Sequence, residues 1–269
     1  MIKLISKISR CHCEPVRAKQ SDSSRVILSV AKDLNRGLPR RFAPRNYILV
    51  FLFIFIASTK AFAAPAYGTK MPEKFKFFIG GQTHEVFERD LEGNNGEVKS
   101  TQHFLLLSFG LADWLSVDLK GGAGDIDQKV NNGLDLSYNT FVGGGYGFRI
   151  KVFEKDKLRS VVGFQHISIH PYTRNTGDTK HKGVLDDWQG SFLVSYDFEK
   201  ITPYLGAKIS RMDYIYWRDD IRNRVKSDTD KSIGAVAGFD LNLNDKTWLN
   251  VEGQFIDVKA LSVSINYLF

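Results

Sequence analysis

The residues best suited to chemistry lie in one short stretch, QHISIH at residues 165–170. On a β-strand, side chains two positions apart share a face, so the hydroxyl of Ser168 would lie near His166 as a nucleophile beside a base. A base also needs a group that orients its imidazole, and the sequence assigns no acidic partner to it. We therefore assign no catalytic residue and expect His166 and Ser168 to line a rim or a lumen.

The composition does not support a metal site or a nucleic-acid surface. The two cysteines, Cys11 and Cys13, lie near the start of the chain, and no second pair completes a tetrahedral site. The formal charge of +7 comes from the same segment, because residues 1–63 hold 12 Lys and Arg against 3 Asp and Glu, whereas residues 64–269 hold 25 against 27. The sequence therefore predicts no metal, no cofactor and no nucleic-acid partner.

The first part of the chain has the pattern of a targeting segment. The apolar run Asn46–Ser58 is too short to span a bilayer as a helix, which needs about 20 residues, and it precedes the small-x-small sequence Ala61-Phe62-Ala63. This predicts a signal peptide over residues 38–63, cleaved at its end. Residues 1–37 are too long for the charged region of a signal peptide and resemble translated intergenic repeats, so we expect them to be a non-native extension and translation to begin near residue 38.

Residues 64–269 alternate apolar and polar side chains with a step of two, the period of a β-strand. In residues 188–199, for example, Trp188, Phe192, Val194 and Tyr196 share one face, and Gln189, Ser191 and Ser195 share the other. The alternation, broken at turn residues, predicts about ten strands and no helix. The predicted strands cover residues 74–90, 98–111, 114–124, 134–150, 159–170, 187–199, 201–216, 230–243, 247–256 and 260–269.

The connections between these strands alternate in length. Those near residues 112–113, 154–158, 200 and 244–246 are short, and those at 91–97, 125–133, 171–186 and 217–229 are longer. Such alternation is typical of an outer-membrane barrel, which has tight periplasmic turns and longer external loops. A sheet can span a bilayer only if it closes on itself, so we expect the apolar stripe to face lipid and the polar stripe to face the lumen. The predicted inward charges are Asp118, Lys120, Lys208, Asp240 and Glu252.

Aromatic residues are expected to mark the two membrane interfaces. At the periplasmic strand ends we predict a girdle of Tyr67, Phe75, Trp114, Phe198, Tyr204, Trp248, Tyr267 and Phe269. Toward the outer rim we predict a second group of interfacial aromatic residues, namely Trp188, Tyr214, Tyr216 and Trp217.

The last strand carries the most specific signal, an apolar stripe of Val263, Ile265 and Tyr267 that ends in the carboxyl-terminal Phe269. With the turn Gly110–Trp114, this makes residues 64–269 resemble the small outer-membrane β-barrel proteins of Gram-negative bacteria, which include OmpA-like barrels and opacity-type surface antigens. The resemblance implies an all-β, antiparallel, up-and-down transmembrane barrel in the cell outer membrane. It also implies that the last strand is read by the barrel-assembly machinery.

The resemblance indicates the location of the protein more firmly than its function, because this group is functionally diverse. We expect a structural or surface-exposed integral membrane protein without catalysis, with outer-membrane lipid and lipopolysaccharide as partners. Two basic loop clusters could hold lipopolysaccharide phosphates: Arg174, Lys180, His181 and Lys182, and Arg218, Arg222, Arg224 and Lys226. One alternative is a narrow channel for ions or small solutes, although a barrel of this size is largely filled by side chains.

A second alternative is an enzyme. The pair His166-x-Ser168 resembles the His-x-Ser-Asn arrangement of lipid A deacylases and outer-membrane phospholipases, but Ile169 stands where those proteins have Asn. The Asp186-Asp187 and Asp219-Asp220 pairs resemble the paired acids of omptin proteases, but no Asp-x-His completes that set. Such acidic pairs are more often solvated.

Overall fold

The computed structural model describes residues 65–93, 95–130 and 135–269. The predicted extension and signal peptide lie outside the described residues. The described chain forms twelve β-strands and one short 3₁₀-helix, Thr229–Lys231. The strands are β1 (Phe77–Asp90), β2 (Glu97–Ala112), β3 (Leu115–Lys129), β4 (Leu136–Lys155), β5 (Leu158–His170), β6 (Arg174–Thr176), β7 (Thr179–Tyr196), β8 (Ile201–Arg218), β9 (Ile221–Lys226), β10 (Ile233–Asn242), β11 (Thr247–Phe255) and β12 (Lys259–Leu268).

Ten of these strands close into an antiparallel barrel in the order β7-β5-β4-β3-β2-β1-β12-β11-β10-β8, with β8 returning to β7. The first barrel strand pairs with the last, from Phe78 opposite Leu268 to Glu88 opposite Lys259. All ten predicted strands are confirmed, as is the up-and-down order. Closure leaves the sheet without an edge, which is the condition for crossing a bilayer.

The outer face of the barrel is apolar. Leu205 is 69% exposed and Leu105 is 64% exposed, and both point away from the lumen. Their register partners on this face include Val194, Ala237 and Gly121, so the surface is a continuous band without charge. An apolar band of this kind is stable against hydrocarbon and not against water. In the described part of the chain, no helix is long and apolar enough to cross a membrane.

The inner face is polar and charged. The five predicted inward charges, Asp118, Lys120, Lys208, Asp240 and Glu252, are all at most 7% exposed, which confirms their orientation. Arg149 donates to both carboxylate oxygens of Asp118, at 2.8 and 2.9 Å. Buried charges are costly unless they are paired and hydrogen-bonded, and this bidentate pair meets that condition.

The segment before β1 enters the periplasmic end of the lumen. The backbone N–H of Ala66 donates to Oε1 of Glu252 at 2.8 Å, and Nη1 of Arg149 donates to the carbonyl of Lys70 at 2.7 Å. Thr69 donates its hydroxyl to Ser195 at 2.6 Å. Residues 65–70 are thereby tied to opposite walls of the barrel and fill the space between them.

The predicted periplasmic girdle is correct in part. Phe75, Trp114, Phe198, Tyr267 and Phe269 are exposed on the outer face. Tyr67, Tyr204 and Trp248 instead lie in the lumen. Nζ of Lys120 lies 3.8 Å from the Tyr67 ring centroid, the Tyr204 hydroxyl donates to Glu252 at 3.1 Å, and Trp248 packs edge-on against Phe78. These three rings fill the interior at this end of the barrel. The aromatic content of the sequence alone does not distinguish a ring in the lumen from a ring at the membrane interface.

The outer rim departs most from the prediction, because the loops expected at 171–186 and 217–229 contain strands. β6 and the start of β7 form a hairpin, and β9 pairs with the outer end of β8, from Asp213 opposite Lys226 to Arg218 opposite Ile221. Ser227 then bridges to Leu91 at the outer end of β1. At the rim, β9 therefore occupies the position between β8 and β1 that β10, β11 and β12 occupy lower in the barrel.

This narrowed rim encloses an apolar core. Its members are Leu91, Val98, Phe104, Leu106, Ile126, Leu136, Tyr138, Ile167, Ile169, Leu185, Met212, Tyr214 and Val225. An unbroken step of two along β4 would place Leu136 and Tyr138 on the same outward face as Tyr146, but both side chains are buried and point inward. Between Gly124 and Ile126 the β3–β4 register shifts, and β4 changes phase there. The predicted rim aromatic Tyr214 is likewise fully buried in this core, where its hydroxyl donates to Tyr138 at 3.2 Å.

Candidate functional site

β5 presents His166, Ser168 and His170 on the outer face of the barrel. The alternate residues Gln165, Ile167 and Ile169 are buried in the lumen, so the step of two holds throughout this strand. The prediction that His166 and Ser168 share a face is confirmed. Of the two positions expected for this pair, the rim agrees with the structure and the lumen does not, because the three side chains point outward near the rim.

The Ser168 hydroxyl has two close partners. Its Oγ lies 2.8 Å from Nε2 of His170 and donates to Oδ1 of Asp186 at 2.5 Å. The Ser168 hydroxyl carries one proton. When it donates this proton to Asp186, its lone pairs can accept a hydrogen bond from an Nε2–H of His170. When Nε2 of His170 is unprotonated, the hydroxyl can donate its proton to that nitrogen instead. The serine is thus held between an imidazole and a carboxylate.

Asp186 is the acidic partner that sequence reasoning missed. It lies on β7 directly opposite Ser168, and Nε2 of His166 is 3.8 Å from its Oδ1. The sequence prediction began this strand at residue 187 and placed Asp186 in a loop. The sequence Val184-Leu185-Asp186-Asp187 does not alternate apolar and polar side chains, so it gave no signal that the strand extends past that boundary.

Aromatic rings fix the position of His166. Its ring centroid lies 3.9 Å from that of Trp188 and 5.2 Å from that of Tyr146, both on the outer face. The two ring pairs are tilted, at interplanar angles of 43° and 54°, and packing between two aromatic rings restricts the imidazole to few orientations. His166 therefore stays directed toward Asp186.

Open space adjoins the serine on its other side. Gly144 is opposite Ser168, and Gly121 is opposite Gly144. A Cβ at Gly121 would meet no atom within 4 Å, and one at Gly144 would meet only the Lys120 carbonyl at 3.2 Å. The absence of both side chains leaves a shallow outer groove that leads to Ser168.

The depth of the site follows from β7. Tyr196 and Trp188 are both outward and eight residues apart, which at about 3.3 Å per residue and a tilt of about 40° separates them by about 20 Å along the membrane normal. Asp186 and Ser168 lie about 5 Å further out. Because the apolar band of such barrels is about 25 Å tall, the site lies at the outer boundary between hydrocarbon and headgroups.

The two acidic pairs considered for a protease lie in different settings. Asp186 points outward and Asp187 points into the lumen, since they are consecutive on one strand. Asp219 and Asp220 form the tip of the β8–β9 hairpin, both with positive φ. Among the described residues, no group of three or more His, Cys, Asp or Glu side chains could hold a metal ion.

No protein-family model and no curated protein matches the sequence. Solved structures with a similar architecture include an outer-membrane channel from Pseudomonas putida F1, at 10% identity and a TM-score of 0.38, with 77% of this chain and 100% of that chain covered. Another is the outer-membrane protein OprG from Pseudomonas aeruginosa, at 12% identity and a TM-score of 0.36, covering 74% and 98%. The outer-membrane protease OmpT from Escherichia coli gives 10% identity and a TM-score of 0.36, covering 72% and 95%.

Proposed function

We propose that this protein is an integral outer-membrane surface protein with a sealed lumen and no transport or catalytic activity. The observation that carries the proposal is the filling of the barrel at both ends. At the periplasmic end residues 65–70 are hydrogen-bonded to the walls. At the outer end β9 and the apolar core close the rim.

The middle of the lumen holds a buried ionic network that supports the same function. Asp257, in the short turn between β11 and β12, lies 3.2 Å from Arg89 and 3.0 Å from Lys208. Ser210 also donates to this carboxylate. Side chains fixed in this way leave little room for a moving ion, as expected for a barrel of this size.

Single-channel recording in planar bilayers tests the sealed lumen. The purified barrel is expected to give no stable openings under conditions in which a porin conducts. A variant that lacks residues 65–70 should remain silent, because the apolar core still closes the outer rim. Stable, discrete openings of the unmodified protein would favour the channel alternative and refute this proposal.

A second candidate function is acyl-ester hydrolysis, favoured by one specific observation. Ser168 contacts His170 and Asp186 at the depth where ester bonds join acyl chains to headgroups. In such a reaction the Ser168 oxygen would bond to the acyl carbon while its proton passes to Nε2 of His170. The ester bond would break as His170 protonates the leaving alcohol, and water would then hydrolyse the acyl-serine.

The test of this candidate is fatty-acid release from phospholipid and lipid A vesicles, together with labelling by an alkyl fluorophosphonate. Ser168→Ala and His170→Ala should abolish both signals if Ser168 is a nucleophile. Ser137→Ala is the matched control, because Ser137 is an exposed outer-face serine on β4, away from this cluster. Unchanged release in the Ser168→Ala variant would exclude the hydrolase.

Two partners are also proposed from the outer surface. Lipid and lipopolysaccharide would contact the apolar band and the basic rim. The barrel-assembly machinery would read β12, whose outward Val263, Ile265 and Tyr267 lead to an exposed Phe269. The Phe269 ring stacks on Phe77 with centroids 4.7 Å apart, so the terminal residue is part of the closing seam.

A further inference from the structure

Three outward side chains form a continuous row across the tips of β7, β8 and β9. Lys182 is opposite Trp217, and Trp217 is opposite Arg222. Nζ of Lys182 lies 4.8 Å from the indole centroid, and Cζ of Arg222 lies 5.8 Å from it. We call this row the rim clamp. Sequence reasoning had assigned its two cations to separate clusters, and the structure joins them through one aromatic ring.

The two cations of the rim clamp have different partners from the basic residues that lie below them. Arg211 and Arg224 each form an ion pair with Asp213, so both guanidinium groups have an acidic partner. Within the described part of the chain, neither Lys182 nor Arg222 forms an ion pair, and both are exposed. A cation held only by a ring face keeps its N–H groups available to an anion.

The clamp rests on a fixed support. Directly below it on the outer face, Val184 is 4% exposed and Ile215 is 8% exposed. The two hairpins are tied together at their tips, where Asp219 accepts from the N–H of Lys180 at 2.8 Å and donates its own N–H to the Lys180 carbonyl at 3.0 Å. The backbone that carries the clamp therefore loses little conformational entropy when a ligand binds.

The height of the clamp indicates its ligand. Lys182 lies four residues beyond Asp186 on β7, which corresponds to about 10 Å above the outer edge of the hydrocarbon. At that height in an outer membrane, the phosphorylated sugars of the outer-leaflet lipid surround the barrel. Phosphates fit the two cations, and the apolar C–H face of a sugar fits an indole.

We propose that Lys182, Trp217 and Arg222 bind a phosphorylated saccharide of the outer-leaflet lipopolysaccharide. The proposal rests on the outer-membrane location and names a site for the lipopolysaccharide partner. It is independent of whether the lumen conducts or Ser168 reacts.

Binding of the full mature barrel, refolded in detergent micelles, to phosphorylated rough lipopolysaccharide tests the proposal. The Lys182→Gln/Arg222→Gln double variant is expected to bind about tenfold more weakly, because two charge-assisted contacts are lost. The matched control is Lys157→Gln/Lys200→Gln, which removes two exposed charges from the periplasmic turns and should bind as the unmodified protein does. Heat-dependent gel mobility checks that each variant is folded.

The same measurement with chemically dephosphorylated lipopolysaccharide needs no variant. The unmodified barrel is expected to lose affinity for this probe by a similar factor, and Trp217→Leu should weaken binding to both probes. Binding of the double variant within twofold of the unmodified protein, or equal affinity for the two probes, would overturn the proposal. In that case the row serves only to hold the two hairpins together. Conductance is measured in a separate experiment, so failure of the sealed-lumen proposal can be told apart from failure of the saccharide-binding proposal.

Discussion

Replacing Asp257 by Asn should destabilise the barrel more than any exposed charge substitution. Asp257 carries the negative charge for Arg89 and Lys208, and all three side chains are at most 2% exposed. The amide of Asn has nearly the same shape and can still accept one hydrogen bond, so the change removes charge rather than volume. Arg89 and Lys208 would then remain buried beside a neutral group.

The expected magnitude follows from the burial of the three groups. Removal of one partner of a buried ion pair costs about 3–5 kcal/mol, because the remaining charge is left uncompensated. For a urea m-value of about 2 kcal/mol/M, this lowers the unfolding midpoint by about 1.5–2.5 M.

The assay is reversible urea unfolding in lipid vesicles, followed by tryptophan fluorescence. Asp245→Asn is the control, because Asp245 lies in the exposed β10–β11 turn and its charge change should move the midpoint by less than about 0.3 M. Arg89→Gln combined with Asp257→Asn should recover part of the loss, since one stranded cation is removed. A midpoint for Asp257→Asn equal to that of Asp245→Asn would refute the view that this network is a buried, dry ion cluster.

Three further substitutions test other parts of the fold. Gly234→Ala should cost about 1–3 kcal/mol in urea unfolding, because its Cβ would lie 1.9 Å from a carboxylate oxygen of Asp257, whereas Gly121→Ala on the open lipid face should be neutral. Gly68→Ala, at a φ of +69°, should loosen the segment that fills the periplasmic end, seen as faster amide hydrogen exchange there with an unchanged unfolding midpoint. Phe269→Ala should lower the amount of barrel assembled in cells more than it impairs refolding into detergent, because the ring is half exposed and its packing is limited to Phe77 and Tyr267 at the seam.

The ten barrel strands were predictable because a bilayer and a lumen impose opposite demands on alternate residues. The outward Phe192, Val194 and Tyr196 and the inward Ser191 and Ser195 meet those demands directly. The same argument did not place Tyr204 and Trp248 correctly. Their large rings were expected at the membrane interface, but the lumen has room for such rings as well.

The candidate site was half predictable. The spacing of His166 and Ser168 fixes a common face within one strand. Their contact with Asp186 depends on the register between β5 and β7, which are separated by a long external connection. Single-sequence reasoning gives no cross-strand register when the loop is long, so the acidic partner was found only in the folded chain.

The replacement of three strands by β9 at the rim affects what approaches the cell from outside. Leu91, Tyr138 and Val225 pack together there although they are far apart in the chain. In the described part of the outer end, an antibody or phage protein would meet a packed surface, and its epitope would be assembled from several segments. Under immune selection, outward side chains could then change freely, whereas inward side chains could change only together, in combinations that preserve the packing.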